Sequence, residues 1–499
     1  IRHGIASEKR LSFNRPFHMK AGGVRFNPGQ LNPSILRTAG PIDPDVGIIE
    51  FRSEGGVPHA SLAVFALHLD TVGGTEYSAD YPRFLSDELR AVFGKEYVSF
   101  FGAGACGDIN HIDVTGLRVL VRVDFNVPMQ GMQVKDDTKI QATLATISSL
   151  QARGAKVVLC SHMGRPSGKV VEELRLGAVT ERLEELLGIP VKYVRQCVGP
   201  DVEAAVAALS PSEVLMLENM RFHPGEEAND QEFARALASM ADIYVNDAFG
   251  TAHRAHASTH GVATYIPGVA GLLMERELEM LERILSDPQR PLIAIMGGAK
   301  VKDKLAALAS LVDHVDGLLI GGGMAATFLK AQGYSVGLSE VEEQFLEDIN
   351  QVLTKANSCG VRVSLPKDVI VSSMLGSQAR PAIVPVASIP GECYLVDIGP
   401  DTIGIFENEL SRSKTVVWNG PMGIFEDSRF AKGTFGMAKT VSEATQNGAK
   451  SIIGGGDSVK ALNMAGLDDQ VTFMSTGGGA SLEFLEGKEL PGIAALTDK

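Results

Sequence analysis

From residue 114 onward the chain alternates short runs of Val, Leu and Ile with helical patterns, and each apolar run empties into glycines or polar residues. That alternation narrows the fold more than any other feature. Residues 117–123 (LRVLVRV) read as a buried strand and 137–153 as an amphipathic helix. Strand signals recur at 156–160, 214–217 and 243–245, with helices near 171–187 and 231–240. Residues 275–285 read as a longer helix that Asp287-Pro288 stops. Further strands are expected at 292–296, 317–320, 414–418, 451–453 and 471–474. Buried strands alternating with helices imply parallel sheets covered on both faces. Roughly 385 residues of this pattern exceed one sheet. The expected fold is α/β, with two doubly wound parallel-sheet lobes at 114–285 and 286–499. A helical hinge near 273–286 joins them, and the C-terminal end returns to the first lobe.

Composition bounds the partners. The 499 residues carry a net charge of −14, so no global positive field draws in nucleic acid or anionic membrane. A single Trp and eight Tyr also weigh against a base-stacking platform. Cys106, Cys160, Cys197, Cys359 and Cys393 are odd in number and form no CxxC pair. They predict a reduced, cytoplasmic chain without a disulfide framework or structural zinc. No apolar run approaches the length of a membrane span, and the opening residues form no signal peptide.

The chemistry-bearing residues sit where the strands end. In the C-terminal half, glycine clusters at 297–298, 321–323, 454–456 and 477–479 each fall between a strand and a helical pattern. Glycine admits a phosphate close to the backbone, and a helix N-terminus offers free N–H groups. One such turn is often only geometry; four in one lobe, one followed by Lys300 and one by Asp457, point to a polyphosphate. There is no Walker A loop and no protein-kinase motif set. In the first lobe, Asp124 and Asn126, the run 161–166 (SHMGRP), the run 218–223 (ENMRFH) and the run 246–256 (NDAFGTAHRAH) all follow strands. A single such Arg reads as a solvated loop charge. Four groups at one topological position suit a small substrate carrying phosphate and carboxylate.

These runs, with 122–128 (RVDFNVP), 297–304 (GGAKVKDK), 418–426 (WNGPMGIFE), 454–458 (GGGDS) and 475–483 (STGGGASLE), give residues 114–499 a specific resemblance to the phosphoglycerate kinase family. The resemblance implies two Rossmann-like lobes and Mg²⁺-dependent phosphoryl exchange between 1,3-bisphosphoglycerate and ADP in glycolysis, by a monomer. It places Asp124, Asn126, Lys139, His162, Arg165, Arg221 and Arg254 around 3-phosphoglycerate. Gly298, Ala299, Lys300, Lys304, Gly323, Gly399, Asn419, Pro421, Glu426, Gly455, Gly456, Asp457 and Ser458 would surround ATP or ADP. Among these, Lys300 and Lys304, four residues apart at a helix start, would reach the phosphates, and Glu426 the ribose. Asp457 would approach Mg²⁺. The catalytic cations would be Lys139, Arg254, Lys300 and Lys304. Asp457 as a mere N-cap and Glu426 as a surface charge are the structural alternatives. One residue departs from the family: Lys139 follows Asp136-Asp137-Thr138 where the family carries Arg. A lysine keeps the charge and loses the planar fork, which predicts a slower kinase or, in a non-enzymatic reading, a disabled nucleotide-binding protein. Ser458 replaces the commoner Thr and keeps its hydroxyl.

Residues 1–113 lack this pattern. Turn signals are dense, and the stretches 46–51 and 62–67 look like strands. The runs 40–46 (GPIDPDV), 78–82 (SADYP) and 107–111 (GDINH) resemble an internal piece of the neutral ceramidase-like hydrolases. That resemblance implies a zinc ligand at His68 and, as an alternative function, a zinc-dependent amidohydrolase. The piece lacks the other ligands of a three-ligand site. The junction at 108–117 carries no linker, and the chain opens at Ile1 without Met. A truncated, loosely packed α/β or mixed hydrolase fragment joined to a kinase is therefore expected.

Overall fold

The computed structural model describes residues 2–7, 16–19, 24–26, 35–38, 45–53, 56–65, 80–103, 114–286, 288–376 and 378–496. Two compact units meet in sequence between Asp113 and Val114. In the first unit, strands Arg2–Ser7, Asp45–Arg52, Pro58–Phe65 and Val98–Ala103 form one sheet in that order. The first pairings are antiparallel; the last is parallel, across helix Asp80–Phe93. Pro16–Met19 pairs with Val24–Phe26 and Ile35–Thr38 in a second small sheet. Ile48 and Ile49 point to opposite faces of their strand, yet remain 40% and 39% exposed. His68 lies outside the described residues.

The second unit holds two parallel sheets. Strands β1 (Arg118–Arg122), β2 (Lys156–Cys160), β3 (Val191–Tyr193), β4 (Val214–Met216), β5 (Ile243–Asn246) and β6 (Gly268–Ala270) pair in the order β3-β4-β2-β1-β5-β6. The side-chain period of two divides each strand between two cores. Val119 and Val121 pack with Val157, Leu159 and Met216, whereas Leu120 packs with Val158, Leu215 and Tyr244.

The second sheet follows the same logic. Its strands are β7 (Leu292–Met296), β8 (Gly317–Ile320), β9 (Arg362–Ser364), β13 (Thr415–Asn419), β14 (Lys450–Gly454) and β15 (Phe473–Met474), ordered β9-β8-β7-β13-β14-β15. Leu292, Ala294 and Met296 face one core; Ile293 and Ile295 face the other. Between β9 and β13 in sequence lies a three-stranded antiparallel sheet of β10 (Asp368–Ser372), β11 (Ala382–Pro385) and β12 (Tyr394–Ile398). The βα rhythm did not announce it.

Helix α1 (Thr138–Ala152) covers the first sheet, and α2 (Leu272–Ser286) leads from that sheet to the second. Two buried carboxylates tie α2 down. Asp247, just after β5, accepts from Leu273 N (2.9 Å) and Met274 N (3.2 Å) and so caps the helix start. Glu277, in its second turn, accepts from Thr476 N (2.6 Å) and Thr476 Oγ1 (2.8 Å) just past β15. The short C-terminal helix Pro491–Ala494 packs back on the first sheet, where Asn246 Nδ2 donates to Gly492 O at 2.9 Å.

Burial pushes the Glu277 carboxyl up to about 7, against the pull of the Thr476 hydrogen bonds. An acid raised above its ordinary 4.5 contributes stability below that value and loses it as pH rises through about 7. Glu277→Gln keeps the acceptor and removes the titration. We expect urea unfolding to show wild type losing up to roughly 3 kcal/mol relative to this variant between pH 4.5 and 8. Parallel pH profiles for the two proteins would contradict the assignment.

Candidate active site

The carboxyl ends of β1, β2, β4 and β5 build one polar rim. Asp124 follows β1 and is almost fully buried. Its Oδ2 accepts from Lys139 Nζ on α1 at 2.7 Å, and its Oδ1 accepts from Asn126 N at 3.1 Å. Burial alone would raise this carboxyl, but Lys139 foremost among the neighbouring cations outweighs it and holds the group at about 2. Asn126 Oδ1 accepts from Gly164 N at 3.0 Å, which joins the β1 and β2 exits. His162 lies 4.0 Å from Asp124, and burial pushes its imidazole well below the ordinary value.

After β4, Asn219 organises the rim from beneath. Its Oδ1 accepts from Met163 N and Arg221 N, and its Nδ2 donates to Met163 O and Leu174 O. Arg221 is thereby held buried, donating to Gly164 O at 2.7 Å and pairing with Glu227 at 3.2 Å. Arg254, half-buried, donates to His253 Nε2 at 3.1 Å. Arg165 is exposed. All the residues expected around 3-phosphoglycerate thus fall on the exits of one sheet or on α1 beside them.

The second sheet builds a glycine-lined seat. Backbone strands approach so closely that side chains are excluded. Gly322 has φ +68°, and a Cβ there would lie 2.5 Å from Gly298 N and 2.6 Å from Pro421 O. Gly298 N donates to Pro421 O at 2.8 Å, and Gly297 N to Asn419 O at 2.9 Å. Lys304 enters this seat from below, 9% exposed, and donates to Gly297 O (2.6 Å) and Asn419 O (2.9 Å). Burial pushes its ammonium down to about 8, opposed by Asp457. Gly323 and Ala299 pack against each other, so the 297–300 and 321–323 turns form one surface.

Helix Gly456–Ala465 starts at this seat with Gly455 at its N-cap position. Asp457 therefore lies inside the first turn, exposed, and is not the cap. Ser458 is fully buried, and its Oγ accepts from Gly420 N at 2.6 Å. Its hydroxyl locks the 419–421 turn against the helix. Gly399 caps helix Pro400–Leu410, and a Cβ there would strike the Asp368 carboxylate at 2.3 Å. Glu426 is half-exposed and pairs with Lys460 at 3.6 Å.

Two expectations change. Lys300 and Lys304 do not share a helix face, because residues 301–304 form turns and the helix begins at Leu305. Lys300 stays exposed while Lys304 folds inward. The glycines at 477–479 leave the seat: a Cβ on Gly477 would meet Phe249, and one on Gly479 would lie 3.6 Å from His253. They border the first rim, held there by the Thr476–Glu277 hydrogen bonds. Arg122, Asn219, Glu226 and Ser258 were not among the expected site residues. Arg122 carried the one available signal, a charge at the carboxyl end of a strand whose middle is apolar. Among the described residues, no group of three or more His, Cys, Asp or Glu could hold a metal, and no helix is long and apolar enough to cross a membrane.

A cation-rich rim on one parallel α/β lobe and a glycine-lined, lysine-bearing seat on the other are the arrangement of a two-lobe small-molecule kinase. The family model described as phosphoglycerate kinase matches residues 109–488. Phosphoglycerate kinase of Moorella thermoacetica is 53% identical over 391 residues, covering 78% of this chain and 99% of that protein. That of Dictyoglomus turgidum is 52% identical over 392 residues, covering 79% and 98%. Among solved structures, phosphoglycerate kinase from Coxiella burnetii matches at 40% identity and TM-score 0.68, covering 78% of this chain and 97% of that one. The Pyrococcus horikoshii enzyme matches at 31% and 0.70, covering 78% and 98%. The chain belongs to the phosphoglycerate kinase family.

The seat's geometry makes a sharp prediction. Gly322→Ala combines an unfavourable φ with contacts to backbone that cannot swing aside. Nucleotide affinity should fall at least about tenfold by isothermal titration, equivalent to ~1.4 kcal/mol, with 3-phosphoglycerate affinity unchanged. Unaltered nucleotide affinity would contradict the close packing of these turns.

Proposed function

We propose that the protein transfers the acyl-phosphate phosphoryl of 1,3-bisphosphoglycerate to ADP, reversibly and with Mg²⁺, as a cytoplasmic monomer. The reading rests above all on the Asp124–Lys139–His162 cluster and the Lys304 seat standing at strand ends of two sheets within one unit. In this reading Arg165, Arg221, Arg254, His162 and Asn126 hold the phosphate and carboxylate of the substrate. The turns at 297–300, 321–323 and 455–458 hold the nucleotide phosphates, with Gly399, Asn419 and Pro421 bordering the nucleoside. Glu426 reaches the ribose by releasing Lys460.

Phosphoryl transfer depends on in-line placement and charge neutralisation more than on acid–base chemistry. The bond from phosphorus to the carboxyl oxygen breaks as one to the ADP β-phosphate forms. Lys300, Lys304 and the helix start at Gly456 offset the charge of the moving group. Asp457 fits Mg²⁺, which binds through one carboxylate plus substrate phosphates; bound there, the ion would supply Lewis-acid neutralisation. Bending about α2 would bring the two rims together and exclude water. For residues 1–113 we keep the resemblance to ceramidase-like hydrolases, in which His68 would be one of the three zinc ligands such a site needs. Turnover of ATP and 3-phosphoglycerate by the whole chain tests the assignment, and its absence would overturn it.

Lys139 limits the rate. Its ammonium holds Asp124 at 2.7 Å and, as a point charge, presents no planar fork to a second group. An arginine could hold Asp124 with one edge and offer the other to the transferred group. Lys139→Arg should raise kcat, by roughly 30- to 1000-fold if one oxyanion-type donor is restored. Equal or lower kcat would contradict this.

Lys304 sets the alkaline limb. Its ammonium, lowered to about 8, is present below that pH and lost above it. Because kcat/KM reports the free enzyme, kcat/KM for nucleotide should fall as pH rises through about 8. Lys304→Arg should lose that limb, whatever its absolute rate; a limb unchanged in the variant would exclude Lys304 as its source.

A further inference from the structure

Beneath the first rim lies a chain of buried groups whose hydrogen-bond directions are fixed by chemistry. Glu226 is fully buried, and as a carboxylate it can only accept. Its Oε2 accepts from Ser258 N at 3.0 Å and its Oε1 from Ser258 Oγ at 2.6 Å. The single hydroxyl proton of Ser258 is thereby committed to Glu226. Ser258 Oγ can then meet Arg122 Nε, 2.8 Å away, only as an acceptor. Arg122, also fully buried, donates to Val123 O and places NH2 3.2 Å from His162 Nδ1. A guanidinium has no acceptor. The Nδ1 atom must therefore carry the lone pair, and the ring proton must sit on Nε2.

We infer that Glu226 and Ser258 are positioning residues that hold Arg122 so that it fixes His162 in its Nε2–H tautomer. The functional part of this inference rests on the reading of His162 as a substrate-binding group. Direction passes along the chain without a break: Glu226 orients the Ser258 hydroxyl, Ser258 anchors the guanidinium, and the guanidinium selects the imidazole nitrogen. The device supplies one fixed, uncharged donor at a rim whose cationic donors, Lys139, Arg165, Arg221 and Arg254, are long side chains. It also joins the loop after β4 to that after β5, since Ala257 N donates to Glu226 O at 2.9 Å. The charged groups acting on His162 are Asp124, Arg122, Arg221 and Lys139; Asp124 favours a charged ring, and burial with the three cations opposes it.

Nitrogen-15 NMR of the whole chain, labelled at histidine, tests this. Comparison with His162→Gln assigns the signal. Wild type should show the Nε2–H tautomer alone from pH 6 to 8. A proton on Nδ1, or a charged ring in that range, would overturn the inference whatever the variants do. Ser258→Ala should yield mixed tautomers and raise KM for 3-phosphoglycerate about tenfold, leaving KM for ATP within about twofold. Ser258→Thr, which keeps the hydroxyl, should restore both. A folded Ser258→Ala protein with an unchanged tautomer and KM would also overturn it. If wild type shows the expected tautomer but no kinase turnover, the functional assignment fails and the hydrogen-bond chain stands.

Discussion

Parallel pairing is the constraint on which the rest depends. In a parallel sheet every strand leaves by the same edge, so residues distant in sequence reach one rim without any long loop. Asp124, Ser161, Asn219 and Asp247 each stand one to three residues past the end of their strands. Their register is held by the apolar ladder behind them: Val119 lies opposite Val157 and Ile243, and Val157 opposite Val214. A slip of one residue would exchange the Val119 and Leu120 faces and break both cores. The rim is thus as well defined as the cores that position it.

That dependence explains what could be read in advance. Strands Lys156–Cys160, Leu292–Met296 and Gly317–Ile320 were legible to the residue, because each is buried on both faces and carries no polar interruption. The antiparallel sheet at 368–398 was not. Its strand Ala382–Pro385 is largely exposed, and among the described residues β10 to β12 have no α-helix between them to set a rhythm. The stretch 471–474 joins the ladder only at Phe473–Met474, because Thr472 meets Ser451 through side-chain hydroxyls and not backbone to backbone.

The candidate site was legible wherever a residue belongs to a glycine or charge cluster, and obscure where its role is to support another. Lys304 shows the limit. Sequence spacing places it on a helix beside Lys300, but the turn at 301–304 and two carbonyl acceptors draw it inward. Ser458 shows it again: its hydroxyl accepts the Gly420 amide. Asn219 and Ser258 carry no charge and sit in runs whose Arg and His draw attention first. Nothing in their spacing reveals that they saturate buried donors.

The first rim gathers Arg122, Lys139, Arg221 and Arg254 near one another, with Asp124, Glu226 and Glu227 as their counter-charges. Burial first lowers the affinity of Arg221 for its proton, and repulsion from Arg254 and Arg122 adds to it against the pull of Glu227. Burial first, then Arg221, Arg122 and Arg254, holds His256 down to about 4, so this ring adds no further charge at neutral pH. Two anionic groups of a substrate would relieve that repulsion, and the relief is itself binding energy. Asp124 is engaged by Lys139 and Asn126, and Glu226 by Ser258, so neither carboxylate is hydrogen-bonded to Arg221 or Arg254. A rim whose own anions are spoken for holds its excess positive charge for an incoming one, and it does so in a protein whose overall charge is −14.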